Sequence, residues 1–340
     1  MTDLAPLVER VDAPSSLILP SSDLGLSWRP VTLADVAALT TLVHACQEAD
    51  ELHYRTSAEE MAESLAVPGL DLERDTLVGL DGEGVPRAWT AAYTFTGDET
   101  LVRAVHSGGV DPAWRRRGIG SALVSWTNGR ARQLLAASDK AVPGRICVYL
   151  DEGEHTAATV FEGAGYTPIR YYTELKRPLD ETIGSPATGD GLSIAPWPDD
   201  DDAVRLAHNE AFADHWGSQP QTPEGWASYR SMFAPQWSFV AIDEVTGQVA
   251  GYLEAAKYEH DWELSGYSSG YIHLLGVRRA WRGRGLAKAL LAASMLAQRA
   301  DGIEYAEIGV DTANPSGAHG LYTSLGFEPF RTETMYSIEL

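Results

Sequence analysis

The chain has 340 residues, of which 44% are hydrophobic and 22% charged, and its 48 acidic and 26 basic residues give a formal net charge of −22. Such acidity opposes binding to nucleic acid, because neutralisation of phosphates by Lys and Arg supplies most of that affinity. No apolar run approaches the roughly 18 residues of a membrane helix, so we expect no membrane association.

The termini and the cysteines set further limits. The first residues include Asp3, Glu9 and Asp12, where a secretory signal would carry basic residues, so we expect a tail over 1–25 and a cytoplasmic protein. Cys46 and Cys147 lie far apart and support neither a disulfide framework nor a cysteine zinc site, so we expect no metal. The acidity could steer a cationic substrate, but a solvated, self-repelling surface is the simpler explanation.

One segment of the sequence occurs twice. Residues 110–120 read VDPAWRRRGIG and residues 277–287 read VRRAWRGRGLA, an offset of 277 − 110 = 167. Similar spacing relates LSW at 26 to LSI at 192, and the turn before Tyr166 to the turn before Phe327. The repeat predicts two domains, over 26–177 and 191–340, joined by a Pro- and Gly-rich linker over 178–190.

The second copy has the clearer hydrophobic periods. Apolar runs of strand length lie at 238–243, 248–255, 271–277 and 308–311, with a turn at 244–247. A helix is predicted from Leu286, because apolar residues recur there at helical spacing up to Ala297. A glycine-bearing turn therefore connects the third strand to a helix.

This turn is unusually basic. The eleven positions from Arg278 to Lys288 hold five basic residues, where the overall composition predicts fewer than one. A helix start presents unpaired N–H groups and partial positive charge, and Gly283 and Gly285 would let a ligand approach the backbone closely. A phosphate or pyrophosphate is the expected ligand, although an ordinary capped helix would also produce this pattern. The Walker and dinucleotide-binding fingerprints do not fit.

The segment after the helix narrows the interpretation. The pattern R-x-x-G-x-A at 282–287, then a strand, then N-x-x-x-A-x-x-L-Y-x-x-L-G-F at 314–327, resembles the GNAT superfamily of N-acetyltransferases. The repeat extends this resemblance over most of the chain, in a layout like that of mycothiol synthase. The resemblance implies an α/β (α+β) fold of two tandem GNAT domains, each a mixed, mostly antiparallel sheet with flanking helices and splayed fourth and fifth strands.

The resemblance also implies acetyl-CoA as co-substrate, without a metal. Its pantetheine arm would lie between the splayed strands and its pyrophosphate at the helix start. In the second copy the residues implied to bind it are Leu275, Gly276, Val277, Arg282, Gly283, Arg284, Gly285, Leu286, Ala287, Lys288 and Asn314. Their counterparts in the first copy are Val110, Arg115, Arg116, Arg117, Gly118, Ile119 and Gly120.

Acetyl transfer to an amine needs a base and an acid. An alkylamine has a pKa near 10.4, so a base must take its proton, and the candidates are Glu254, His273 and Asp311. The ordinary imidazole pKa of about 6.5 favours His273, which could equally be a buried strand residue. Relatives often have a glutamate on this strand, but 271–277 contains none. By the resemblance Tyr322 would protonate the departing thiolate, unless it only packs beneath the sheet.

The first copy lacks two of the residues that the resemblance implies for the acetyl-transfer site. Phe161 stands where Tyr322 stands, and no asparagine matches Asn314 within 151–154. We therefore expect coenzyme binding without chemistry in the first copy and the active site in the second.

The sequence gives the least information about the residues that would bind the acetyl acceptor. The parts of the chain that supply aromatic and acidic residues able to hold an amine are the segment His215-Trp216-Gly217, Trp226, Tyr229, Trp237 and the segment 258–263, and they could equally be core and solvated rim. We expect a monomer that acetylates a primary amine of a small polar molecule in a ternary complex. The alternatives are a non-enzymatic acyl-CoA-binding or sensing module and, among enzymes, a mycothiol synthase or an antibiotic or protein N-acetyltransferase.

Overall fold

The computed structural model describes residues 4–228, 230–313 and 318–340. The chain divides into two compact units, one formed by Met1–Tyr171 with Glu333–Leu340 and the other by Tyr172–Thr332. The domain limits drawn from the repeat stay predictions. Over the described residues, no helix is both long enough and apolar enough to cross a lipid bilayer.

The first unit contains six helices and five complete strands among its described residues. The helices are α1 (Leu7–Arg10), α2 (Val36–Ala49), α3 (Ala58–Leu65), α4 (Leu72–Asp75), α5 (Ile119–Ala136) and α6 (His155–Gly163). The strands are β1 (Ser27–Arg29), β2 (Thr76–Leu80), β3 (Pro86–Thr94), β4 (Val102–Val110) and β5 (Gly144–Asp151). β6 (Thr167–Pro178) follows, and its residues from Tyr172 onward belong to the second unit.

The second unit repeats this arrangement. Its helices are α7 (Asp202–Ala211), α8 (Pro223–Trp226), α9 (Trp262–Ser265), α10 (Leu286–Ala300) and α11 (Ala318–Ser324). Its strands are β7 (Leu192–Pro196), β8 (Phe239–Asp243), β9 (Val249–Ala256), β10 (Ser269–Val277) and β11 (Tyr305–Asp311). β12 (Glu328–Glu339) ends the chain. The strands and the helix predicted in the second copy are thereby confirmed.

Each unit has one mixed sheet. In the first unit the order is β1-β2-β3-β4-β5, and the end of β12, Glu333–Glu339, pairs antiparallel with β5. In the second unit the order is β7-β8-β9-β10-β11, and the end of β6, from Tyr172 to Pro178, pairs antiparallel with β11. Only the pairs β4–β5 and β10–β11 are parallel among these described strands. The α/β class and the mostly antiparallel sheets are confirmed.

The parallel pairs open along their length. Pairing of β10 with β11, two strands described in full, stops at Ile272, and pairing of β4 with β5, also described in full, stops at Val105. The remainder of β4 and β10 stays paired with β3 and β9 alone. The expected splayed fourth and fifth strands are therefore present in both units.

The apolar core of the second unit lies between the sheet and α10. Leu286, Leu290, Leu291 and Met295 recur along one face of α10 and pack against the β10 residue Ile272, which is buried. Residues on the opposite face of the sheet, including Tyr252, pack against α7.

The first unit has the same layering, with α5 in the place of α10. Its N-terminal segment adds to the core, because Leu7 and Val11 are fully buried in the cluster that also contains Leu135 and Ile146. The segment predicted as a tail therefore packs against the first unit.

Candidate functional site

The basic turn of the second unit opens α10. Gly283 and Gly285 adopt left-handed backbone (φ 74° and 80°), and Gly285 is the N-cap residue of α10. A side chain built at either glycine would meet no described atom within 4 Å, so the turn is open beside both glycines. These N–H groups have no capping side chain from Gly285, and an anion is the group that they can bind.

The basic residues of this turn differ in their contacts, and Arg279 lies 3.4 Å from Asp214. Arg282 donates to the backbone oxygens of Val277 (3.1 Å) and Ala211 (2.7 Å), and Arg278 forms an ion pair with Glu210 (2.6 Å). Arg284 and Lys288 are exposed, and Arg284 donates to the oxygen of Asp190 (3.3 Å). Arg282 thus bonds the turn to neighbouring backbone, and the side chains of Arg282, Arg284 and Lys288 are all exposed.

The strand residues predicted to bind the pantetheine arm border the gap. Leu275, Gly276 and Val277 pair with β9 on one side and face the splayed edge on the other. Gly276 is required there, since an added Cβ would lie 2.5 Å from the ring of Tyr252. Asn314, the remaining residue predicted for this arm, and Tyr229, predicted for the acceptor, lie outside the described residues.

Tyr322 lies on α11 in the apolar cluster next to α10. Its side chain is 7% exposed and meets Phe327 edge to face, with ring centroids 5.9 Å apart. Burial raises the pKa of Tyr322 to about 12, so the phenol keeps its proton near neutral pH. The packed role and the proton-donor role are compatible in this position.

A β-bulge in β10 places His273 on the face of the sheet opposite to α10. The register between β9 and β10 shifts between Ile272 and Leu274, which leaves His273 as the extra residue. Its Nδ1 lies 3.2 Å from Oε1 of Glu254, a buried carboxylate on β9. The His273 side chain is 45% exposed. A carboxylate at Nδ1 orients the ring so that Nε2 is free to accept a proton.

The structure thus brings two of the three base candidates together. Asp311 is buried at the end of β11, where its Oδ1 accepts the backbone N–H of Ala313 (3.0 Å). That bond shapes the turn after the strand. The Glu254 and His273 pair is the arrangement with proton-transfer chemistry.

The first unit contains a cavity of about 860 Å³ at its own splayed strands. Of the coenzyme residues predicted for this copy, Val110, Arg115, Arg116, Gly118 and Gly120 line it. Arg117 instead lies over the Trp114 ring (4.6 Å), and Ile119 is buried in the core. The cavity therefore lies where the resemblance places a coenzyme.

Two buried polar atoms border this cavity without a hydrogen-bond partner among the described residues. They are Nδ1 of His106 and Nε1 of Trp89, and each side chain is 5% exposed. Burial lowers the pKa of His106 to about 3, so the imidazole is neutral. A ligand able to pair with such atoms would relieve the cost of leaving them unsatisfied.

Sequence reasoning missed His106, although it stands 167 residues before His273 and the repeat offset was known. It also missed Arg230, which donates to Glu254 (3.4 Å), because nothing in its local pattern marks it. Cys46, also on the cavity wall, donates to the oxygen of Val110 (3.3 Å).

The predicted acceptor residues divide into core and surface. Trp237 is fully buried and donates to Asp301 (2.7 Å), and Trp226 is buried against Trp197. Residues 258–263 form a turn after β9, in which Tyr258 meets Tyr271 edge to face. Trp216 is exposed. The core interpretation thus holds for Trp237, and the segment 258–263 stays the accessible part.

The face that carries His273 holds further carboxylates and phenols. Tyr271 donates to Glu174 (3.0 Å) and Tyr267 donates to Glu307 (2.9 Å). Gly309 makes room for the first pair, since an added Cβ would lie 2.7 Å from Glu174 Oε1. Within the described ranges, no group of three His, Cys, Asp or Glu side chains is arranged to hold a metal ion.

Comparisons with known proteins agree with this geometry. A model of the acetyltransferase (GNAT) domain matches residues 235–329. A mycothiol acetyltransferase of Salinispora tropica is 31% identical over 240 residues, which are 67% of this chain and 71% of the relative. Among solved structures, a GCN5-related N-acetyltransferase from Sphaerobacter thermophilus is 26% identical with a TM-score of 0.69, covering 95% of this chain and 97% of its own. A tandem GNAT protein from the clavulanic acid biosynthesis pathway, 20% identical with a TM-score of 0.68, has the same fold over 92% of this chain and 98% of its own.

Proposed function

The chain belongs to the tandem-domain proteins of the GNAT superfamily of N-acetyltransferases, and from that membership we propose that its second unit acetylates a primary amine of a small polar acceptor. The acetyl donor is acetyl-CoA, and the amine attacks it directly in a ternary complex. The observation that carries the proposal is the gap beside β10, with the Glu254 and His273 pair on one face of the sheet and Tyr322 in the cluster on the other.

The residues of the second unit fit the coenzyme. The open space in front of Gly283 and Gly285 accommodates the pyrophosphate, which the first-turn N–H groups of α10 would bind together with Arg284 and Lys288. The free edge at Leu275–Val277 supplies backbone donors and acceptors for the pantetheine amides.

His273 is the general base of this proposal. An acceptor amine arrives mostly protonated at neutral pH, and only its neutral form attacks the thioester carbonyl. Nε2 of His273, directly or through one water, takes that proton while Glu254 holds the ring through Nδ1. Its exposure lets the acceptor approach from the solvent side.

Tyr322 completes the transfer. As the C–N bond forms and the C–S bond breaks, the sulfur leaves as a thiolate, which takes the phenol proton of Tyr322. Solvent returns a proton to the phenol afterwards. Because burial raises the pKa of Tyr322 to about 12, the donor stays protonated throughout the neutral range.

The first unit is proposed to bind acyl-CoA without turnover. Its cavity includes the basic turn and the unpartnered Nδ1 of His106, which support ligand binding. Phe161 at the position of Tyr322 cannot donate a proton, and Ala91 at the position of Glu254 provides no carboxylate. The rival function is a non-enzymatic acyl-CoA-binding module, which would have no use for the Glu254 and His273 pair.

A screen of amines for thiol release from acetyl-CoA tests the function. A mycothiol-related amine is the first acceptor to try, because the relative reported above is named for mycothiol, and aminoglycosides and peptides follow. We expect one class to raise thiol release well above hydrolysis, and His273→Gln to lower kcat by about 10²- to 10⁴-fold. His106→Gln in the first unit is the matched control, for which we expect kcat within about threefold of wild type. Coenzyme binding with no acceptor-dependent release by any amine would favour the binding module.

A further inference from the structure

Arg230 lies beside the proposed base pair in a cage of aromatic rings. Its guanidinium carbon is 5.9 Å from the ring centre of Trp197, 5.2 Å from that of Trp226 and 4.7 Å from that of Phe233. One nitrogen of the group, Nη1, lies 3.4 Å from Oε2 of Glu254. Aromatic faces attract such a cation and restrict its position, so Arg230 is held where it meets the carboxylate.

A second carboxylate anchors the opposite side of Arg230. Nη2 lies 2.9 Å from Oδ2 of Asp201, the N-cap residue of α7, and that oxygen also accepts from Nε1 of Trp197 (3.3 Å). The side chains form a continuous line of contacts, from Asp201 through Arg230 and Glu254 to His273.

We propose that Arg230, anchored by Asp201, is a positioning residue that holds Glu254 against Nδ1 of His273 and, through its positive charge, opposes protonation of the imidazole. This inference rests on the proposed function, in which His273 is the base. Arg230 acts through Glu254, and its role is distinct from contact with the substrate.

The sign of the effect follows from the charges. A carboxylate next to an imidazole favours the protonated ring, which cannot accept a proton from the amine. The positive charge of Arg230 on the far oxygen of Glu254 opposes that effect while leaving the hydrogen bond to Nδ1 in place. The base therefore keeps its orientation while a positive charge opposes its protonation.

The described contacts place His208, Tyr252, Tyr271 and Glu174 as further titratable groups near the pair. His208 on α7 donates to or accepts from Tyr252 (2.6 Å), which stands next to Glu254 on the same face, and burial lowers the pKa of His208 to about 4. On the strand of His273 itself, Tyr271 has its ring centre 6.4 Å from the imidazole and is paired with Glu174. Burial raises the pKa of Tyr252 and of Tyr271 well above the ordinary value, so both phenols are neutral. Arg230 is a cation in direct contact with the Glu254 carboxylate.

The pH profile of kcat/KM tests the charge. Arg230→Gln keeps a donor for Glu254 and removes the charge, so we expect the acidic limb to move up by about one pH unit and the rate at pH 6.5 to fall about fivefold, with most of it recovered at pH 8.5. Arg230→Lys keeps the charge and should leave the limb within about 0.3 pH units. Asp201→Asn removes a negative charge from the line and should move the limb slightly down. Arg205→Met, which removes a cation paired with Asp202 on α7, is the matched control and should leave the limb in place.

Titration of the His273 ring by NMR, without substrate, separates this inference from the proposed function. We expect the midpoint in Arg230→Gln to lie about one pH unit above that of wild type, whatever the acceptor proves to be. An unmoved midpoint, or a uniform loss of rate at every pH, would overturn the role of Arg230. A shifted midpoint in a protein whose His273→Gln variant keeps full activity would overturn the base assignment and leave the line of contacts standing. If Arg230→Gln does not fold, Asp201→Asn decides: an upward shift of its midpoint contradicts the inference.

Discussion

The two units build the same strand differently at one residue. In the first unit β3 and β4, described throughout, pair without a register shift, with Ala92 opposite His106. In the second unit Ala255 is opposite Ile272, the next pair joins Glu254 to Leu274, and His273 is the bulged residue between them. His106 is therefore the structural counterpart of Ile272, although the repeat offset aligns it with His273. One extra residue in a strand separates a buried histidine from an accessible one.

The surrounding face changes with the bulge. By register, Ala91 of the first unit stands at the position of Glu254 and Val105 at that of Tyr271. Met335, opposite Tyr149 on β5, occupies the position of Glu174, which lies opposite Gly309. The second unit thus has carboxylates and phenols where the first has apolar side chains. Such a difference supports catalysis on the face that carries His273.

The phenol hydroxyl of a paired set of aromatic rings stands at different positions in the two units. Phe161 and Tyr166 in the first unit correspond to Tyr322 and Phe327 in the second, and both pairs meet edge to face. The phenol of Tyr166 lies 3.3 Å from Nε2 of His106, where it satisfies a buried ring nitrogen. The phenol of the first unit is therefore engaged in the core.

We expect the largest effect when the aromatic residues Tyr322 and Phe161 are each changed to the residue of the other unit. Tyr322→Phe should lower kcat by about 10- to 1,000-fold with coenzyme affinity nearly unchanged, because it removes the proton donor and keeps the ring. Phe161→Tyr should add no activity, since its unit lacks the carboxylate and the bulged histidine. Steady-state kinetics under conditions limited by acetyl transfer measure both. Full kcat in Tyr322→Phe would remove the phenol from the mechanism.

Charge reversal of the two basic turns gives the next largest effect. Arg284 is exposed at the start of α10, so Arg284→Glu should raise KM for acetyl-CoA by about 10- to 100-fold through repulsion of the pyrophosphate. Arg117→Glu, at the matching position before α5, should leave turnover within about twofold. Both effects should shrink with added salt, because exposed charges are screened. The reverse result, in which Arg117→Glu alone is impaired and both variants are folded, would place catalysis in the first unit.

The sequence predicted the repeated motifs and the elements around them, because helical and strand periods and the glycine turn are local patterns. It named Glu254 and His273 as separate candidates, but their pairing depends on a register shift between two strands, which no local pattern encodes. Arg230 could not be recognised from the sequence for the same reason, since the aromatic rings around it belong to Trp197, Trp226 and Phe233. Grouping of the last strand with the first unit depends on long-range pairing that the repeat does not reveal.

Motif reasoning also treated each basic turn as one ligand-binding set. Arg115 is paired with Asp50 through both terminal nitrogens (2.6 and 2.7 Å), and Arg282 donates to backbone oxygens. These two arginines are counterparts, and each already bonds to groups of the protein. A count of basic residues in a sequence does not show which of them already bind a carboxylate or a carbonyl group of the protein.

The smallest expected effect concerns Glu154, at the start of α6 in the cavity of the first unit. Burial, with Asp151 and Asp50 adding repulsion, raises the pKa of Glu154 to about 7, while its Oε2 accepts the N–H of Asp151 (2.9 Å). The folded state therefore holds a proton that the unfolded chain releases above pH 4.5, and stability falls as the pH rises from about 4.5 to 7. Glu154→Gln keeps an acceptor oxygen and removes that loss, so it should stabilise the protein by about 1–2 kcal/mol at pH 8 and very little at pH 4.5. Thermal unfolding at both pH values measures the difference in stability between Glu154→Gln and wild type. Glu152→Gln, exposed on the same turn, is the control. An equal gain at both pH values would show that shape, rather than ionisation of Glu154, sets the stability of this turn.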